Sequence, residues 1–167
     1  IGGGSLHEPI EKTGLASITG QVMRTGGTTT MDGDAMNEAL ENIGASVEAG
    51  MGGSSASASL STLKEHIDTV LPIFADVLQN PAFPEDKIAL SKTQTRSGIS
   101  RRNDNSQQIS NREFDRLLYG ETSPYATTAE YYTIDAITRD DLVAFHQRFF
   151  HPNNVILGVW GDFETDE

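Results

Sequence analysis

Apolar residues along the 167-residue chain follow two periods. Ile67, Val70, Leu71, Phe74, Val77 and Leu78 recur at helical spacing, which predicts a helix whose wide apolar stripe faces a core. Pro81 and Pro84 close it, because proline cannot continue a helical ladder. Leu15, Ile18, Val22 and Met23 predict an earlier helix near residues 12–24, ended by Gly26 and Gly27. Another runs from about Gly33 to Ile43, with Asp32 or Asp34 as N-cap and Gly44 as the stop. Pro84-Glu85-Asp86 opens a long helix to about Arg102, its acidic residues at the positive end. Ile109, Phe114, Leu117 and Leu118 mark a helix that stops at Gly120. Thr138-Arg139-Asp140-Asp141 starts one carrying Leu142, Phe145, Phe149 and Phe150 in a capping-box order.

The second period is two. Ser55-Ala56-Ser57-Ala58-Ser59-Leu60-Ser61 alternates, and Gly52-Gly53 breaks the stretch from Ala45 to Leu63 into a hairpin of two strands. Ile1 to Leu6 reads as a strand end broken by glycines. The apolar run from Asn154 to Asp162 predicts a buried strand. Strands separated by long helical runs predict a sheet with helices packed on one face. No internal repeat is seen.

Composition narrows the function. A net charge of −12 argues against a nucleic-acid or anionic-membrane partner, both of which need clustered Lys and Arg. No apolar run reaches the ~20 residues of a spanning helix. Cys is absent, which removes disulfides, thiolate zinc sites and cysteine nucleophiles. The chain opens at Ile1 rather than Met, so the lack of a leader carries no weight.

Most chemical candidates are weak. His7-Glu8-Pro9-Ile10-Glu11 approaches H-E-x-x-H but lacks the second His, and Pro9 breaks the register, so an exposed loop is expected. His146 and His151 straddle a helix end and share no face; His146 reads as a partly exposed helix residue and His151 as a turn residue. No serine sits in G-x-S-x-G or S-x-x-K. The glycine pairs lack the lysine and spacing of a phosphate loop. Arg101-Arg102 at a helix C-terminus suits the helix dipole without a ligand.

An ordered series of motifs is more telling. It comprises Gly4-Ser5-Leu6-His7-Glu8-Pro9, Gly14-Leu15-Ala16, Gly26-Gly27-Thr28-Thr29 and Leu40-Glu41-Asn42-Ile43-Gly44-Ala45. Then come Leu118-Tyr119-Gly120 with Ser123-Pro124-Tyr125, Phe149-Phe150-His151-Pro152-Asn153-Asn154, and Gly158-Val159-Trp160-Gly161-Asp162-Phe163. This series resembles the first half of a subunit of the insulinase/pitrilysin-type zinc metallopeptidases, a family that includes the mitochondrial processing peptidase and the respiratory-complex core proteins.

The resemblance implies an α+β fold, a two-layer sandwich with a mainly antiparallel sheet covered by helices on one face. It also implies that residues 1–167 form one domain of a longer two-domain subunit. In active members an H-x-x-E-H motif follows Gly-Leu-Ala. Carried over by position, Ser17 stands for the first histidine, Gly20 for the general-base glutamate and Gln21 for the second histidine. The third ligand, a glutamate, falls in Arg96-Ser97-Gly98-Ile99-Ser100, which has no carboxylate. Catalytic zinc needs about three His or carboxylate ligands and an open water position, with a glutamate to take the water's proton. No metal and no cofactor are therefore expected here, although active relatives carry zinc.

The expected function is a non-catalytic, pseudo-peptidase domain that lines a peptide chamber and associates with an active family subunit as a homo- or hetero-oligomer. Two rivals are a structural or assembly protein of the same fold, and part of an active zinc endopeptidase whose ligands lie elsewhere. From composition alone, the edge bearing Ser55, Ser57 and Ser59 is the expected place for a peptide added as a strand.

Overall fold

A computed structural model describes residues 1–162. The chain is α+β. Two antiparallel strands, β1 (Ser46–Met51) and β2 (Ala56–Ser61), stand among seven α-helices in the described residues. The helices are α1 (Leu15–Thr25), α2 (Gly33–Glu41), α3 (Ile67–Gln79), α4 (Glu85–Arg101), α5 (Ser106–Tyr119), α6 (Tyr131–Ala136) and α7 (Arg139–Phe149).

Local chemistry starts several of these helices. Asp32 caps α2 by accepting from the backbone N–H of Asp34 and Ala35. Asn105 does the same for α5 from Gln107 and Gln108. Thr138 and Asp141 form the reciprocal capping box of α7. Gly44, at φ 63°, turns the chain out of α2 in a left-handed conformation that a side chain disfavours.

The hairpin forms as its alternation requires, with Val47 opposite Leu60, Ala49 opposite Ala58 and Met51 opposite Ala56. Its apolar side packs with α2 and α3 in a core cluster of Met36, Leu40, Val47, Val70 and Val77. A second cluster gathers Leu15, Ile18, Val22 and Met23 of α1 with Ile88 of α4, Ile134 of α6, and Leu142, Phe145 and Phe149 of α7. Helix α1 touches both the hairpin and α7, so it joins the two clusters.

Two expectations fail and a third holds only in part. The apolar run after Asn154 forms no strand among the described residues, and it is exposed: Ile156 by 94% and Trp160 by 86%. Hydrophobicity gives the run its strand-like pattern, but a buried strand also needs a neighbouring backbone, and none of the described residues provides one. Phe163 of the closing motif lies outside the described residues. The opening stretch from Ile1 to Leu6 keeps its strand-like pairing only at the start: Ile1 and Gly2 pair with Ala56 and Ser55, then the chain tightens into a 3-10 turn at Ser5–His7. His146 is buried rather than partly exposed, its ring stacked on Phe150 and its Nε2 2.8 Å from the Leu78 carbonyl oxygen.

Candidate functional site on helix α1

Helix α1 begins without a side-chain cap of its own, because its N-cap is Gly14 at φ 109°. Glu8 supplies the cap from six residues away. Its two carboxylate oxygens accept from the backbone N–H of Gly14 and Ala16, both at 2.9 Å. The loop expected to be merely exposed thus carries a partly buried, helix-fastening carboxylate. Burial pushes the Glu8 pKa above the usual carboxylate value, against the opposing pull of its backbone donors.

The three motif positions face different surroundings. Ser17 is exposed. Gly20 is buried against the hairpin: a Cβ there would stand 2.6 Å from the Met51 nitrogen and 2.9 Å from the Gly50 carbonyl carbon. Gln21 is exposed but engaged at both ends of its amide. Ser91 of α4 donates to its Oε1 at 2.6 Å, and its Nε2 donates to Gln94 Oε1 at 2.7 Å.

The side chains that meet Gln21 from α4 are therefore Ser91 and Gln94, which precede the segment expected to hold the third ligand. Within that segment Arg96 turns away to pair with both oxygens of Asp135, at 2.8 and 2.9 Å. Ser97 donates back to the Thr93 carbonyl oxygen at 3.0 Å and Ser100 to that of Ser97 at 2.8 Å. Ser91 and Gln94 had no signal of their own in the sequence, since small polar residues on a helix are usually solvated surface.

This donor set does not fit a catalytic zinc. It offers a serine hydroxyl, no side chain at the base position, and an amide already bound on both sides. Among the described residues no three His, Cys, Asp or Glu side chains gather at metal-binding distance. His7 lies against the Phe149 ring, and the Nε2 of His146 is engaged by the Leu78 carbonyl oxygen.

Ser55, Ser57 and Ser59 are exposed on one side of β2. Ser57 and Ser59 stand opposite Gly50 and Glu48 at positions where the ladder bonds close within the hairpin. The outward-directed backbone groups of β2 belong to Ala56, Ala58 and Leu60, and those of Ala56 are taken by Ile1. Arg101-Arg102 is also more than a dipole partner, because Arg102 forms a fork with both oxygens of Glu130 at 2.7 and 2.9 Å.

Known proteins share this architecture. The insulinase (peptidase family M16) model matches residues 1–128, and the model of the M16 inactive domain matches residues 136–167. An M16 inactive-domain structure from Pseudomonas fluorescens superposes with a TM-score of 0.78 at 31% identity, over 86% of this chain and 35% of that one. An uncharacterised zinc protease of Rickettsia felis is 25% identical over 98% of this chain, which spans 40% of that protein. The non-peptidase homologue YmxG of Helicobacter pylori is 24% identical over 99% of this chain and 38% of its own length. The chain thus spans about 40% of the curated relatives it matches, and it belongs to the insulinase family of peptidases.

Proposed function

We propose that this domain is a non-catalytic member of its family, a wall of a peptide-holding chamber that works beside an active subunit. The observation that carries this reading is Gly20. A glutamate base at this position has no room, because the helix backbone rests on Gly50 and Met51. The packing of α1 on the hairpin supports this reading, as do the contacts of the Gln21 amide with Ser91 and Gln94. Zinc is absent from the proposal for the same reason. Residues 1–167 are taken as one domain of a two-domain subunit.

Two measurements test it. After dialysis against micromolar zinc, elemental analysis should find no stoichiometric metal on the purified chain; one tightly held zinc per chain would overturn the reading. Restoring Ser17→His, Gly20→Glu and Gln21→His together should produce neither metal binding nor proteolysis, since the glutamate side chain cannot be seated without displacing the hairpin. A peptide held here is proposed to lie along β2, where Ala58 and Leu60 offer backbone groups and Ser55, Ser57 and Ser59 flank them. Titrating an unstructured peptide into isotope-labelled chain should move the amide resonances of residues 55–61; shifts confined to other elements would place the peptide elsewhere.

A further inference from the structure

The two edges of the hairpin are not alike. Ladder bonds close at Gly50 with Ser57 and at Glu48 with Ser59, so the outward-directed backbone groups of β1 belong to Val47, Ala49 and Met51. Helix α1 occupies two of these three places. At one end its backbone stands so close that a Cβ on Gly20 would meet the Met51 nitrogen at 2.6 Å. At the other, Arg24 in the last turn of α1 donates from Nε to the Val47 carbonyl oxygen. Ala49 between them has no hydrogen-bond partner on its outward side among the described residues. On β2 both Ala58 and Leu60 are open, and they are consecutive outward positions.

We infer that Arg24 is an edge guard: it closes β1 to an extended peptide and leaves β2 as the edge on which a strand can be added. The inference deepens the peptide-holding part of the proposed function and rests on that reading only for the peptide itself. With Val47 taken and Met51 covered, β1 offers one open position. One position gives at most two ladder bonds, and their net gain does not offset the ordering of the peptide around them. Freeing Val47 makes two consecutive positions, Val47 and Ala49, as many as β2 has in Ala58 and Leu60.

The surroundings of Arg24 favour a guard over a simple partner of the helix dipole. A cation in the last turn suits the dipole while staying in water, yet this side chain is half-buried. Its contacts are all neutral. Besides the Val47 carbonyl oxygen they are the Asn37 amide oxygen, 2.9 Å from Nη1, and the Met36 sulfur at 4.0 Å. Asn37 of α2 thus steers the guanidinium so that Nε is aimed at the strand edge. A charge set on a strand edge bars pairing, because an incoming strand must displace it or bury it.

Titration of an unstructured peptide into isotope-labelled chain tests this, with wild type set beside Arg24→Met, which keeps the stem and loses the donors. In wild type the amides of residues 46–51 should stay still. In Arg24→Met they should shift, and wild type should need at least ~tenfold more peptide for the same change. Arg24→Lys keeps a charge at the edge and should stay closed. Arg24→Leu repeats the test should methionine loosen α1, and circular dichroism with urea melts shows that each variant is folded. A structural role alone would lower the urea midpoint of Arg24→Met and leave β1 silent. Silence of β1 in the folded variants overturns the inference. So does a wild-type β1 that responds as strongly as the variant's, or an opening by Arg24→Lys equal to that of Arg24→Met. The β2 amides answer the other question. If they stay still in wild type while β1 opens in Arg24→Met, the guard stands and the peptide site proposed on β2 fails.

Discussion

Gly20→Ala is the smallest change that probes the packing of α1 on the hairpin. Its methyl would meet the Met51 nitrogen and the backbone of Gly50. Backbone cannot rotate aside as a side chain can, so this overpacking should cost about 1–3 kcal/mol in a urea melt. The usual small gain of alanine over glycine in a helix, roughly 1 kcal/mol, is too weak to offset it. If Gly20→Ala is stabilising, α1 does not rest on the hairpin as described. Glu8→Ala removes the carboxylate that accepts from the N-terminus of α1. Loss of this cap should lower stability by about 1–2 kcal/mol, read from the same melts. His146 makes a prediction in pH. Burial lowers its pKa, and the Leu78 carbonyl only partly counters that. The folded pKa lies below the unfolded value of about 6.5. The stability from neutral His146 is therefore fully present above that value and is lost as the pH falls through it toward the folded pKa. Denaturation midpoints should decline between neutral pH and mild acid in the native chain, and His146→Gln should flatten that decline. Equal slopes in the two proteins would remove His146 from the account.

At the scale of elements, capping chemistry was legible and orientation was not. Asp32 and Thr138 start helices through local hydrogen bonds that depend on a few neighbouring residues. Thr138→Ala should accordingly cost about 1 kcal/mol by thermal melting, with no change in the hairpin. Helix α5 shows the limit. Its apolar period is real, yet its stripe points to solvent. Periodicity identifies an amphipathic helix and says nothing about which face meets its own domain. The short α6 gave no periodic signal, because six residues hold less than two turns. It is held instead by contacts distant in sequence, such as the Thr133 hydroxyl donating to the Thr13 carbonyl at 2.8 Å.

Across the whole molecule, the segment from Val155 to Trp160 is the clearest departure from the sequence pattern. Trp160 is the only tryptophan and is 86% exposed. Its fluorescence should match that of free tryptophan and be quenched readily by acrylamide. A blue-shifted, protected emission would show the segment packed as the buried strand that its composition suggests. The same contrast applies to the site. The residue types at Ser17, Gly20 and Gln21, after Gly14-Leu15-Ala16, were readable in the sequence. The partners of Gln21 were not, because Ser91 and Gln94 lie about seventy residues away and approach only when α1 and α4 pack.

By itself the sequence determined what depends on neighbours along the chain. That covers the helix starts at Asp32 and Thr138, the period-two hairpin and the family motif series, since each is set by residue type at short spacing. Tertiary structure alone decided which faces meet. It brought Glu8 to the end of α1, pressed Gly20 onto the hairpin backbone, buried His146, turned α5 outward and left the final apolar run without a partner strand among the described residues. Those outcomes depend on the packing of elements far apart in the chain, and no local pattern encodes such a packing.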